Sequence, residues 1–196
     1  MYVSPETLDL HLTELKHRFE LVDLSEWLRR AREGATLPRL ACAITFDDGW
    51  RDNFEFALPV LMRHGAPATI FLVSSYVGGA RRFWPNQLMS LLQKSFAEPG
   101  SVNFPAPLSR IVEPVLAEAR RRDQLRVDAA DRVVQHAKEL DEEQIRSLVE
   151  AASMSCTDSL GAREILSREE VAQMAATGLI RFGSHTMTHF RLGGQV

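Results

Sequence analysis

Two adjacent carboxylates, Asp47 and Asp48, end the apolar run ACAITF and are followed at once by Gly49. Neighbouring negative charges repel each other, so a positively charged partner is expected close by. His185 and His189, which follow the run LIRFGS, are four residues apart. On a helical turn both imidazoles would face the same way, and two histidines at this interval are a familiar metal clamp. The residue types therefore predict a divalent metal ion held by two nitrogens and one carboxylate oxygen.

The second carboxylate has a separate predicted task, which is to take a proton from the attacking water. Successive residues of a strand point in opposite directions, but Gly49 lacks a Cβ and permits a sharp turn that brings both acids to one pocket. Each cluster also has a structural interpretation. Asp-Asp-Gly is commonly a turn with a helix N-cap, and two histidines four residues apart occur by coincidence. The joint appearance of the two clusters after predicted strands is what favours a metal site.

Three apolar runs predict the strands that position these residues. They are ACAITF (41–46), PATIFLV (67–73) and LIRFGS (179–184). Continuous apolar strands that alternate with helices are typical of a parallel sheet. Functional sites of such sheets form at the carboxyl ends of the strands, which is where both clusters lie.

The predicted helices have recognisable starts. Ser4 precedes a proline, Ser25 precedes the segment EWLRRARE, and Ser167 begins a capping box. Asp52 is predicted to cap the helix after the carboxylate pair rather than to support the site. Pro59 either kinks that helix or marks its true first turn.

A single domain, 1–196, is predicted, with a helical lead-in over 1–38 and a helical insertion over 86–165. Strand candidates vanish within the insertion, where helices rich in Arg, Glu and Leu take over. The insertion would cover the cleft, bind a polymer, or dock a neighbouring protein, and the sequence leaves these three roles open.

Composition excludes several classes of protein. A net charge of -3 and a pI near 6.1 do not indicate nucleic-acid binding. Cys42 and Cys156 are too few and too far apart for a cysteine metal site. No run approaches the roughly 18 apolar residues of a membrane span. The start shows no secretory leader, so the chain as written is expected to be cytoplasmic, with its natural N-terminus left open.

Two motifs resemble a known family. The segments TFDDG (45–49) and SHTMTH (184–189) resemble the first two motifs of the polysaccharide deacetylases, the NodB-homology or carbohydrate esterase family four. The segments ALPVLMRHGAPATIFL and LSREEVAQMAATGLIRFGSH resemble the elements that connect them. The resemblance runs from about residue 3 to the end of the chain.

The resemblance implies a role for each residue of the two motifs. Asp47 would be the general base, and Asp48, His185 and His189 would hold the metal, commonly Zn²⁺ and sometimes Co²⁺ or another divalent ion. The fold implied is α/β, an irregular (β/α) barrel of the NodB type. The reaction implied is hydrolysis of a non-peptide carbon–nitrogen bond, which removes N-acetyl groups from amino sugars of a polysaccharide or oligosaccharide. Trp50 stands where many relatives have tyrosine, and it either lines a sugar subsite or packs internally.

Further motifs of the family do not appear before Val196. We therefore expect the N-terminal part of a deacetylase domain, with an incomplete barrel, no general acid, and low activity in isolation. One alternative is an O-acetyl esterase or a small-amide hydrolase on the same scaffold. The other is a truncated, non-catalytic fragment that binds a metal or a partner.

Overall fold

A computed structural model of the chain describes residues 3–154 and 163–190. The chain divides into two compact units. The first, here called the sheet unit, comprises Met1–Arg81 and Arg163–Val196, and the second, the helical unit, is Arg82–Ala162. Both predicted motifs belong to the sheet unit.

The described part of the sheet unit contains five strands, all paired in parallel. They are β1 (Glu20–Leu21), β2 (Ala41–Cys42), β3 (Ile44–Phe46), β4 (Ala68–Leu72) and β5 (Ile180–Ser184). Strand β1 pairs with β2, and β3, β4 and β5 form a three-stranded sheet in that order. The predicted parallel arrangement is therefore confirmed for these residues.

The run 41–46 differs from its prediction as one buried strand. It is divided at Ala43 into β2 and β3, because each half pairs with a different neighbour. Thr45 is exposed and both flanking residues of β3 are only half-buried. Strand β4, which has a partner on each side, carries the buried stretch of the sheet.

The sheet unit also contains helices. They are α1 (Pro5–Arg18), α2 (Leu24–Arg32), a π-helix (Asn53–Ala57), α3 (Leu58–His64) and, after the helical unit, α8 (Arg168–Ala176). The core of the unit is formed by α1, α3, α8, β4 and β5, with Leu12, Leu61, Ile70, Leu166 and Met174 fully buried. Within the predicted lead-in, 1–38, the described residues contain β1 as well as two helices.

Two helix starts agree with the sequence. Ser4 accepts a hydrogen bond from the Thr7 amide, and Ser167 and Glu170 form the capping box. Helix α2 differs, because Asp23 rather than Ser25 is its N-cap, accepting from two backbone amides of the first turn.

The helix after the carboxylate pair begins as a π-helix. The Leu58 amide donates to the carbonyl of Asn53, five residues back, and Pro59 then lies in the first turn of α3. Proline has no N–H and cannot continue the preceding ladder, so it marks the true start of the α-helix. Asp52 occupies the N-cap position but makes no capping hydrogen bond, so its predicted role is wrong. Burial raises the pKa of this carboxyl group.

The helical unit has its own core. Its helices are α4 (Trp84–Ala97), α5 (Leu108–Arg121), α6 (Val127–Ala137) and α7 (Glu142–Met154). Sixteen buried residues drawn from these helices and the α4–α5 connection pack together. The predicted insertion, 86–165, lies mostly within this unit, and Cys156 falls outside the described residues. Over the ranges that the structure describes, no helix combines the length and apolar character needed to span a membrane.

Candidate metal centre

Asp47, Asp48 and Gly49 form a tight turn at the end of β3. The Gly49 amide donates to the Asp47 carbonyl over 2.9 Å, and Asp48 between them has φ 71°. A hydrogen bond between residues i and i+2 across a positive φ is the rare, strained form of the γ-turn. The sharp turn predicted from Gly49 is therefore present, but the strained residue at its centre is Asp48.

Gly49 combines a left-handed φ of 74° with a close approach to a neighbouring side chain. A Cβ at this position would lie 2.5 Å from Cδ2 of Leu72, the last residue of β4. The backbone strain of the turn belongs to Asp48, whose positive φ costs roughly 1–3 kcal/mol, and such strain clusters at functional sites. The carboxylate turn is thus pressed against the end of the neighbouring strand.

The histidine segment is also a turn, and the helical turn assumed from the spacing is wrong. Thr186 and His189 have φ values of 63° and 60°, in the left-handed region. The His185 amide donates to the Leu72 carbonyl over 2.8 Å, and the Phe190 amide donates to Thr186 Oγ1 over 3.1 Å. The two imidazole centroids lie 5.2 Å apart.

Residues after β4 hold this turn in place. The Ser74 amide donates to the Thr186 carbonyl, and the Ser75 amide donates to the Met187 carbonyl. The Ser75 hydroxyl donates to the same Met187 oxygen over 2.6 Å. Pairing between the two chain segments thus continues beyond β4 and β5 into the loops.

Asp48, His185 and His189 converge at the carboxyl ends of the strands. Asp48 Oδ1 lies 3.4 Å from His185 Nε2 and 3.3 Å from His189 Nε2. One possible ligand atom from each residue lies within 4.8 Å of the others. The predicted set of metal ligands is therefore brought together, although the metal itself stays a prediction.

The arrangement fits a divalent cation. Asp48 Oδ1 is buried and accepts no hydrogen bond from the described residues, and a buried charged oxygen without a partner costs free energy. Zinc–ligand bonds of roughly 2.0–2.1 Å in a tetrahedron place neighbouring ligand atoms about 3.3–3.4 Å apart. The two Asp48–histidine separations have this length. The triad supplies two nitrogens and one oxygen, which leaves coordination positions for water and substrate.

Asp47 is exposed and joins the triad through the backbone turn. Its carboxylate is exposed to solvent and is therefore accessible to a water molecule. Its role as general base stays a prediction.

Trp50 has a contact that the sequence did not predict. Its indole Nε1–H donates to Asp48 Oδ2 over 3.1 Å. Its backbone forms an antiparallel bridge with Ile165. In the sequence, only the position of this aromatic residue, two residues after Asp48, could have suggested the contact. The role of Trp50 in a sugar subsite stays a prediction.

An ion network centred on the buried Glu170 supports the segment that bridges Trp50. Arg163 donates to both carboxylate oxygens of Glu170 over 2.7 Å, and Arg51 Nε donates to Oε1 over 3.2 Å. The hydrogen bonds from Arg163 lower the pKa of Glu170 to about 2. The capping-box glutamate was predicted from sequence, whereas its two arginine partners were not.

Comparison with known proteins points to one family. A family model described as polysaccharide deacetylase matches residues 34–105. A putative polysaccharide deacetylase of Bacillus subtilis (strain 168), YxkH, is 40% identical over 50 residues, which is 26% of this chain and 18% of that protein.

Two solved structures also align with most of the chain. A de-N-acetylase from Aggregatibacter actinomycetemcomitans is 16% identical with a TM-score of 0.47, covering 95% of this chain and 47% of that one. The deacetylase domain of BpsB from Bordetella bronchiseptica is 15% identical with a TM-score of 0.45, covering 95% and 45%. The chain thus spans about half the length of these structures and 18% of the curated relative.

The family match contains both carboxylates and Trp50, and it ends before the two histidines. The two histidines lie outside the matched range, and the structure places both of them next to Asp48. Residues 34–105 therefore match the polysaccharide deacetylase family model, and part of this range is similar to a curated putative deacetylase.

Proposed function

We propose that this chain contributes the metal-binding part of a hydrolase that removes N-acetyl groups from the amino sugars of a polysaccharide or oligosaccharide. The observation that carries the proposal is the position of Asp48 Oδ1, buried and 3.3–3.4 Å from two imidazole nitrogens. The match to the polysaccharide deacetylase family supports the class of substrate.

Asp48, His185 and His189 would hold the divalent ion, which is most simply Zn²⁺ because the donors are two imidazoles and one carboxylate. When bound, such an ion acts as a Lewis acid that polarises the acetyl carbonyl. Asp47 would take the proton of the attacking water, since it directly precedes Asp48 in the chain, is exposed, and is not one of the proposed ligands. The acyl carbon gains the water oxygen, the carbon–nitrogen bond breaks, and acetate and a free amine are released.

The strand order supports a barrel of the family type. Along the chain, β1 pairs with β2, and β3, β4 and β5 follow each other in sequence order, all in parallel. Sheets that form barrels are wound in one direction, whereas doubly wound sheets reverse their strand order. We therefore propose that these are consecutive strands of an irregular (β/α) barrel.

The test is metal binding by the full chain with three variants. Titration calorimetry with Zn²⁺ should give one site in the wild type and none in Asp48→Ala or His185→Ala, because each removes one of three ligands. His17→Ala, an exposed residue of α1, is the matched control and should keep the site. Unchanged stoichiometry in Asp48→Ala would contradict the proposal.

A second measurement separates the two carboxylates. Asp47→Asn should keep Zn²⁺ affinity, because the residue is not a ligand, and should abolish acetate release in a protein that contains the whole domain. The substrate panel should include N-acetylated and O-acetylated glycans. Acetate release from the O-acetylated members alone would replace the proposed activity with that of an esterase.

A further inference from the structure

The two oxygens of the Asp48 carboxylate have different surroundings. Oδ2 accepts the hydrogen bond of the Trp50 indole over 3.1 Å. Oδ1 is buried, accepts no hydrogen bond from the described residues, and faces His185 and His189 at 3.4 and 3.3 Å. The indole therefore occupies the oxygen that is turned away from the two imidazoles.

The backbone on both sides of Trp50 is fixed by a segment more than 100 residues away. The Leu166 amide donates to the Gly49 carbonyl over 2.9 Å, and the Arg51 amide donates to the Glu164 carbonyl over 2.7 Å. Ile165, which bridges Trp50, is fully buried. Trp50 thus sits between two long-range backbone hydrogen bonds that limit its movement.

The segment 164–166, which holds the backbone beside Trp50, is itself anchored. Arg163 makes two 2.7 Å hydrogen bonds to the carboxylate of Glu170. The Ser167 amide donates to the same carboxylate over 2.7 Å. Paired charge-assisted hydrogen bonds of this kind fix geometry strongly. The backbone that carries the indole is therefore held by a segment anchored at the start of α8.

We propose that Trp50 is a positioning residue that restricts Asp48 to ligation through Oδ1 alone. The inference rests on the metal site of the proposed function. A carboxylate turns easily about its last torsion, and the Nε1–H bond removes that freedom. Groups that hydrogen-bond to a ligand typically contribute 10–100-fold to metal affinity. Without the indole donor, Asp48 can rotate towards two-oxygen ligation or away from the imidazoles.

This role differs measurably from a sugar subsite. A residue that only contacts substrate changes KM and leaves the metal Kd alone, whereas a positioning residue changes the metal Kd with no substrate present. Removing the donor also alters the number of oxygens bound to the ion. The absorption spectrum of the Co²⁺-loaded protein detects that change, because Co²⁺ absorption at visible wavelengths depends on coordination number and geometry.

The experiment measures Zn²⁺ affinity and the Co²⁺ spectrum in the full chain without substrate. Trp50→Phe removes the donor and part of the ring. Replacement of Trp50 by 3-benzothienylalanine keeps the bicyclic shape and exchanges only the N–H for sulfur. Trp27→Phe is the matched control, because the buried Trp27 Nε1 makes no hydrogen bond to the described residues. Unfolding temperatures of the metal-free proteins check that all variants are folded.

Both changes at position 50 are expected to weaken Zn²⁺ binding 10–100-fold and to alter the Co²⁺ spectrum, while Trp27→Phe leaves both unchanged. If Trp50→Phe does not fold, the benzothienylalanine protein decides the matter. A Zn²⁺ Kd within twofold of wild type in that protein overturns the inference and leaves the proposed function standing. A wild type that binds no divalent ion overturns both.

Discussion

Gly49→Ala tests whether the carboxylate turn needs both a left-handed backbone and close contact with β4. At a φ of 74°, an alanine costs about 1–2 kcal/mol more than a glycine. Its Cβ would lie 2.5 Å from Leu72 Cδ2, so the two groups must separate. Relief of such overpacking typically costs about 1–3 kcal/mol. We expect Gly49→Ala to lower the free energy of unfolding by about 2–5 kcal/mol.

Gly65→Ala provides the matched control in the same unit. Gly65 ends α3 with a φ of 58°, and a Cβ there would meet nothing within 4 Å. Gly65→Ala therefore carries the free-energy cost of alanine at a positive φ but makes no close contact. The stabilisation from the lower entropy of the unfolded chain is the same for both alanine variants. The difference between the two variants, about 1–3 kcal/mol, therefore isolates the contact with Leu72.

Urea unfolding followed by circular dichroism measures these energies, with a constant m-value as the condition for comparing them. A third variant, Gly49→Ala with Leu72→Ala, removes the atom that clashes. In that background the added cost of Gly49→Ala should fall to that of Gly65→Ala. Equal destabilisation by the two single glycine variants, within about 0.5 kcal/mol, would refute the steric argument.

Two further predictions concern ion pairs of the sheet unit. The pKa of Glu170 is lowered from 4.5 to about 2, so its stabilisation is complete above pH 4.5 and is lost as the pH falls towards 2. Relative to Glu170→Gln, wild type should lose about 2 kcal/mol between pH 5 and pH 3 in urea unfolding, and a constant difference would contradict this. Asp23 caps α2 and accepts from Arg181 of β5. Asp23→Ala should cost about 1 kcal/mol of thermal stability, and Asp23→Ser should recover most of it by keeping the cap, whereas equal losses would exclude the cap as the cause.

The strands were predicted well where burial alone decides them. PATIFLV is β-branched and uncharged, and β4 lies within one residue of its predicted bounds on each side. The run 41–46 looks equally uniform, yet it forms two strands because its halves pair with different neighbours. The pattern of apolar residues in a segment indicates how much of it is buried, but it does not indicate which strands will pair with it.

At the candidate metal centre, too, features set by local sequence were predictable, whereas features set by distant residues were not. The location of Asp48, His185 and His189 at strand ends was predictable, because parallel strands bring their carboxyl ends to one edge. The helical turn assumed for the histidines was wrong, since the left-handed φ of Thr186 depends on hydrogen bonds to the segment after β4. Trp50, which contacts Asp48, is held by backbone hydrogen bonds to residues 164–166. No local sequence pattern indicates that these distant residues pair.

Leu72 connects the two halves of the candidate metal centre. Its side chain packs against Gly49, which follows Asp48, and its carbonyl accepts the amide of His185. Both turns therefore meet the last residue of the same strand, which is also paired with Ser184 of β5. Strand β4 is the central strand of this three-stranded sheet and is hydrogen-bonded to β3 on one side and to β5 on the other. Asp48 and His185 thus share one support, and this explains how residues 137 positions apart come to have Asp48 Oδ1 and His185 Nε2 3.4 Å from each other.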